Sequence, residues 1–483
     1  MEIKELESWD EKIRELVSSY GLKCYPQEFE ICDHFEMLGY MAYSGMPSRY
    51  PHWSFGKSYE KEKTMYDYGV GGLPYEMVIN SNPCLAYLMR DNTHLLQILT
   101  IAHVYGHNDF FANNFTFTSG LDARYTLEMF KNHAQRVRSY IEDPSIGIEK
   151  VERILDAAHS LSLQKSRNLA LTRLSRQEQQ MRMWEAAQPQ EDEFADINPP
   201  SKYVQPDLEK NPLEPEQDLI RFIGENNPFL SEWEKDLISI VDRESMYFLP
   251  QIETKIMNEG WASYWHHKIL TALDLPKAYH MEFLIRHNQV LRPTPGGLNP
   301  YHLGFILWHD IEKRWNEGKT GVEYAGENIV PALDGVPENE TPGRKKIFEI
   351  RRSDRDASFL RRFLTEDIMR ELDLFQHEKR GKDRVITKVS DEESWESVKE
   401  TMIKNVGMGS IPVILIDNAD HDGKRTLHMF HEHDGRDLQL EHAEHTLRHV
   451  QTLWKRDALL ETTLNGKKSV LSIKDNKLSI DRL

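Results

Sequence analysis

Along the first 180 residues, apolar positions recur three and four apart, the period of one helix face. Trp9, Ile13, Leu16, Val17 and Tyr20 form the first such stripe. Residues 46–75, from Met46-Pro-Ser-Arg-Tyr-Pro-His-Trp to Gly71-Gly72-Leu73-Pro74, hold too many Gly, Pro and aromatic residues for a regular element and predict a long loop packed over a site. Asn82-Pro83 predicts a cap and first-turn proline, with Leu85, Leu88, Leu95, Leu99 and Ala102 carrying a helix toward Gly106. From Ile148 to about Trp184 the pattern stays helical but becomes highly charged. It gives way at Gln188–Asp218, where six prolines and nine acids against two lysines predict a solvated linker or draped loop. Helices resume at Ser231-Glu-Trp-Glu234, a capping box. Pro250 predicts the opening of the next helix, which runs to about Leu273, and Pro295-Gly-Gly predicts a turn. Asn299-Pro300 starts a helix with Tyr301, Gly304, Trp308, Ile311 and Trp315 on one face, stopped by Gly318.

After a further amphipathic helix over Asp354–Phe375, the charged run His377-Glu-Lys-Arg-Gly-Lys-Asp383 predicts a boundary, and the texture changes. Val385–Val389, Ile411–Ile416 and Thr426–Phe430 have the pattern of short strands, with helices at about 391–404 and 440–454 and a final hairpin turning at Asp475-Asn476. The expected architecture is a mainly α N-terminal domain over 1–380, which includes the acidic Pro-rich linker 188–218, and a smaller α+β C-terminal domain over 381–483.

Composition narrows the function classes. The chain has 483 residues, 39% of them apolar and 29% charged, a globular balance with aromatics enough for a large core. A formal charge of −18 lacks the basic footprint of a duplex-binding protein, so no nucleic-acid partner is expected. No stretch approaches the roughly 18 apolar residues of a membrane span, and Met1-Glu-Ile-Lys-Glu-Leu-Glu has no apolar signal core. Cys24, Cys32 and Cys84 are an odd, scattered set without CxxC, which argues for a reducing compartment. A cytoplasmic protein is the expectation.

The 21 histidines bring in the chemistry. In His103-Val-Tyr-Gly-His107-Asn-Asp109-Phe-Phe, two imidazoles four apart on a helix can serve one ion. Chance alone supplies about one HxxxH pair at this histidine content, and the chain has two, the other being His445/His449, so spacing does not decide. Val104 stands where HExxH has its glutamate, so a base for water activation must come from elsewhere. In Met257-Asn258-Glu259-Gly-Trp261-Ala262-Ser263-Tyr-Trp265-His266, seven residues turn about 700°, which puts Glu259 and His266 on one stripe, separated by the small Ala262 and Ser263. Two histidines from one helix and a glutamate from a later one match the three-ligand arrangement of catalytic zinc. A solvated or capped Glu259 and a satisfied core His266 are the plainer alternative. Asp310 and Arg314 are an i,i+4 pair, worth about 0.3–0.5 kcal/mol if exposed. Six histidines fall between His428 and His449; His442, His445 and His449 lie off the apolar stripe of their helix, toward solvent or a partner. No GxxxxGK[ST], GxGxxG or GxSxG occurs.

Four ordered segments, Tyr50-Pro-His-Trp-Ser-Phe-Gly-Lys57, His103-Val-Tyr-Gly-His107-Asn-Asp-Phe-Phe, Met257-Asn-Glu-Gly-Trp-Ala262 and Asn299-Pro-Tyr-His-Leu-Gly-Phe, closely resemble the stage V sporulation protein R (SpoVR) family over nearly the whole chain. The resemblance implies involvement in forming the spore cortex, the peptidoglycan layer of endospores. Relatives also occur in non-sporulating bacteria, typically alongside a serine protein kinase and a von Willebrand A-like protein, which become candidate partners. The family motifs match at His103, His107, Asn258, Glu259 and His266. Two functions are therefore expected. One is a cytoplasmic sporulation factor acting through regulation or partner assembly. The other is a metal-dependent hydrolase, peptidase- or amidase-like, with zinc or another divalent metal on His103, His107 and Glu259 and with His266 or Asp109 handling protons. Both halves of the second depend on segments some 150 positions apart meeting in space.

Overall fold

The structure is a computed structural model describing residues 3–68, 76–167, 174–188, 205–293, 297–319, 337, 340–380, 383–389, 394–474 and 477–482. The expected features at Gly71–Pro74, 189–204, Pro295-Gly296 and Asp475-Asn476 lie outside the described residues. The chain divides into two compact units, Met1–Arg138 with Met246–Ser410, and Ser139–Ser245 with Ile411–Leu483. The N-terminal region is mainly helical and the C-terminal part is built on a five-stranded sheet, the expected fold class.

The first unit is organised by three helices, His94–Asn113, Lys255–Ala272 and Pro300–Asn316. Leu95 and an unbroken run from Gln97 to Phe111 are buried in the first, and Ile256 to His266 in the second, so both are covered on every side rather than along one stripe. Their ends are capped locally: Thr93 accepts from the Leu96 amide, and Asn299 accepts from the amides of Tyr301 and His302. Asp356 accepts from the amides of Ile256 and Met257, at the start of the second helix. Trp261, Trp265 and Trp308 are fully buried at their junction, with Trp261 and Trp308 edge to face at 4.9 Å. Glycine makes one crossing possible: a Cβ on Gly260 would stand 2.4 Å from the Gly304 Cα, so side chains there would force the second and third helices apart.

Four local expectations are corrected. Residues 84–106 are not one helix. Cys84–Met89 is the central strand of a three-stranded sheet, parallel to Gln27–Cys32 and antiparallel to Glu76–Ile79, and the helix begins only at His94. Cys-Leu-Ala-Tyr-Leu is buried without interruption, and a short apolar run of this kind carries no period that separates strand from helix. The segment 46–75 is not all loop, because Trp53–Asp67 is a helix capped by His52, whose Nδ1 accepts from the Ser54 amide. Its aromatic residues pack sideways: Phe55 lies against Tyr43 and Tyr50. Pro250 does not open a helix but lies inside Glu232–Glu253, and the next begins at Lys255. Asp354–Phe375, expected as one helix, forms Asp356–Phe363 and Glu366–Glu371, followed by a hairpin of Phe375–Arg380 with Asp383–Val389.

The second unit carries the sheet, in the order Lys477–Arg482, Lys467–Lys474, Ala458–Leu464, Thr426–His431, Ile414–His421. Its one parallel pair, Thr426–His431 with Ala458–Leu464, is joined through the helix Leu440–Trp454, which packs against Ile148–Leu161. Of the two forms expected for the acidic Pro-rich segment, its described part takes the draped loop and not the solvated linker. Leu213 is buried, and Glu216 exchanges both backbone hydrogen bonds with Ile416, at 3.0 and 2.8 Å. Residues 205–218 thus cover the Ile414–His421 edge, which would otherwise expose unpaired backbone groups.

Candidate metal centre

His103 and His107 leave the first central helix toward the second, on either side of Gly106, which packs against Ala262. The small residues between Glu259 and His266 therefore serve close helix contact: the space beside Ala262 is taken by the neighbouring backbone. That contact brings the glutamate to the imidazoles. Nε2 of His107 is 3.4 Å from Glu259 Oε2, and Nε2 of His103 is 4.0 Å from it. A fourth donor comes from Glu76, the first residue of the Glu76–Ile79 strand. Its Oε1 is 3.1 Å from Nε2 of His103 and 3.4 Å from Nε2 of His107. Among the described residues, these four side chains form one group with donor atoms all within 4.8 Å of one another. Donors bound at about 2.0–2.1 Å around a tetrahedral ion stand about 3.3 Å apart, so the observed spacing suits a single metal.

The outward nitrogens are occupied as metal-ligating histidines require. Nδ1 of His107 donates to Asn258 Oδ1 at 2.9 Å. Nδ1 of His103 lies 2.7 Å from Nδ1 of His266, and Nε2 of His266 lies 2.8 Å from Nδ1 of His287. With Nε2 of His103 as a metal donor, its proton sits on Nδ1 and donates to His266. His266 then donates onward to His287, so each ring has one consistent tautomer. His103 and His266 are fully buried, and His107, Glu259 and the Glu76 side chain nearly so.

Electrostatics mark the pocket as cationic in preference. Burial by itself would lower His107, but hydrogen bonds and charge from Glu259 and Glu76 push it up to about 10. Burial would raise both carboxyls. Instead His107, Lys255 and His103 hold Glu259 far below the usual carboxylate range, and His103 and His107 hold Glu76 below it. Oε2 of Glu76 and Oε2 of Glu259 are buried without a hydrogen-bond partner, which a bound cation would satisfy. Burial together with Glu259 and Glu76 pushes the Tyr301 hydroxyl well above its ordinary value. Burial, then His103 and His287, keeps His266 neutral well below the histidine range.

Of the residues singled out in the sequence, His103, His107 and Glu259 come together, and His266 stands behind His103 rather than in the pocket. Asp109 lies in a separate buried ion pair, with both oxygens 2.5 Å from Nη1 of Arg351 and further bonds from the Lys23 amide and Trp261 Nε1. Asp310 pairs with Arg314 at 2.6 Å, half-buried. His442 and His445 are exposed, and their neighbour His449 is half-buried. Glu76, Lys255 and His287 were not legible as site residues. Glu76 stands in a short strand with no motif around it and no spacing that ties it to His103.

Fold and pocket together define a mainly helical protein with a buried two-histidine, two-carboxylate centre and an appended sheet domain. The family model described as SpoVR like protein matches residues 1–411, and that of the SpoVR-like C-terminal domain matches 412–465. The chain belongs to the SpoVR family. It is 32% identical over 481 residues to the uncharacterized protein YcgB of Escherichia coli (strain K12), an alignment covering 93% of this chain and 90% of that one. No solved structure matches.

Proposed function

We propose that this protein is a metal-dependent hydrolase, peptidase- or amidase-like, that serves a sporulation-related process. The observation that carries the reading is the convergence of His103, His107, Glu259 and Glu76 on one buried point. Two imidazoles and two carboxylates without a thiolate suit zinc or another divalent metal, and such a cation, when bound, polarises a carbonyl and acidifies water. The chain's own residues do the rest. His266 and Asn258 orient the two imidazoles. Glu76 turns Oε1 toward the imidazoles and leaves Oε2 unpartnered, so the same carboxylate can accept a proton, the task that Val104 cannot perform.

Family membership supports the sporulation link, and a contribution to the spore cortex from the mother-cell cytoplasm is part of the same proposal. No described helix is long and apolar enough to cross a membrane. A regulatory reading, in which a serine protein kinase or a von Willebrand A-like protein is the partner, has one observation in its favour. Among the described residues the strand Lys477–Arg482 pairs on one side only, which suits strand addition by a partner.

The test of the enzyme reading is metal content. Untagged protein should carry about one equivalent of divalent metal, in keeping with a single site, and a His103→Ala/His107→Ala double variant should lose it. Glu259→Gln, which keeps size and removes charge, should fail to restore normal spores in a null strain. A metal-free protein that is folded and functional removes the reading.

A further inference from the structure

Glu259 is held by two different claims on its two oxygens. Oε2 faces the imidazoles of His103 and His107 and has no hydrogen-bond partner. Oε1 is 3.0 Å from Nζ of Lys255, one helical turn earlier. The Lys255 side chain is 61% exposed while that of Glu259 is 10% exposed, so the ammonium approaches the carboxylate from the solvent side of the pocket. A carboxylate in a metal site binds through one oxygen or through both, and the choice sets how much of the ion's surface the protein occupies. With His103, His107 and one oxygen of Glu259 on the ion and Glu76 as the proton acceptor, a tetrahedral position stays open for a substrate oxygen, and a second oxygen from Glu259 would take it.

We infer that Lys255 restricts Glu259 to a single metal-facing oxygen and thereby keeps the centre accessible to an oxygen ligand such as a substrate carbonyl. Lys255 is a positioning residue: it touches Glu259 and not the metal. A charge-assisted hydrogen bond is the right tool, being stronger than a neutral one and removing one oxygen from competition. The inference rests on the metal reading above and deepens it, since it separates a catalytic centre from a closed structural one.

The test uses full-length protein loaded with cobalt(II) as the probe, comparing the wild type with Lys255→Met and Lys255→Arg. The intensity of cobalt's visible bands falls as coordination number rises, and it reports on the centre before any other ligand is added. Lys255→Met should still take up one cobalt, with visible bands several-fold weaker than those of the wild type as Glu259 turns both oxygens to the ion. Lys255→Arg, which restores the hydrogen bond, should return the wild-type spectrum. Equal spectra for Lys255→Met and the wild type, both cobalt-loaded, overturn the inference and leave the metal reading standing. A wild type that takes up no cobalt overturns both. Because Lys255 is exposed, the Lys255→Met protein should melt within a few degrees of the wild type; a fold lost in both variants would overturn a purely positioning role.

Discussion

A Cβ added to Gly106 would stand 2.6 Å from the Ala262 Cα, closer than side-chain carbons ever approach backbone, so these two residues set the separation of the two helices that carry the metal ligands. The first prediction follows directly. Gly106→Ala should destabilise the first unit by roughly 1–3 kcal/mol through overpacking, despite alanine's better helix propensity. It should also weaken metal binding, because moving one helix outward parts His103 and His107 from Glu259. Thermal unfolding with and without added zinc checks both effects. A wild-type melting temperature would show that the helices yield at no cost.

His266 is predicted to act through His103. His266→Leu removes the acceptor at 2.7 Å from Nδ1 of His103 and should lower metal affinity roughly 10–100-fold, the usual effect of losing the partner that orients a ligand. Competition with a chromophoric chelator measures it. Glu76→Gln should cost at least as much if Glu76 is a ligand, and an unchanged affinity would confine Glu76 to proton transfer.

Asp109 is predicted to matter for stability and not for the metal. Asp109→Asn leaves Arg351 buried with a weakened partner, and breaking a buried pair costs roughly 3–5 kcal/mol. Residual folded protein should bind metal with wild-type affinity. Selective loss of activity in a protein of unchanged stability would instead restore Asp109 to the chemistry.

Acid should unfold this protein earlier than carboxylates alone require. Burial, aided by neighbouring histidines, lowers His287 and His309 to about 4. A histidine whose folded value lies below its unfolded value near 6.5 favours the folded state fully above 6.5 and loses that contribution as pH falls toward 4. Urea midpoints at pH 7.5, 5.5 and 4.5 should decline across that window with the uptake of about two protons. His287→Gln/His309→Gln should flatten the decline, and an equally steep slope in that variant would assign it elsewhere.

Chelation offers a final check. Removing metal should lower the melting temperature, since a ligand that binds only the folded state stabilises it in proportion to its concentration over its dissociation constant. The His103→Ala/His107→Ala protein should not respond to chelator.

Much of the helical architecture was legible because its signals are local. The stripe from Trp9 to Tyr20, the Asn299-Pro300 start and the Ser231–Glu234 box each lie within a few residues of what they determine. The misread elements share a cause. Cys84–Met89 is apolar throughout because it is the middle strand of its sheet, and Trp53–Asp67 hides its helix among aromatics that pack against neighbouring rings; neighbours absent from the local window decide both. Residues 205–218 look solvated by composition and are tied down by backbone hydrogen bonds, which depend on no side chain and leave no mark in it.

The same division runs through the candidate site. Sequence alone determined that His103 and His107 share a helix face and that Glu259 and His266 share another, because the helical period is a property of the chain itself. Tertiary structure decided that the two faces meet at Gly106 and Ala262, that Glu76 arrives from a strand to join them, and that Asp109 turns to Arg351 instead. Those outcomes rest on packing distance and on the pairing of buried charge, quantities that exist only once separate segments share one interior.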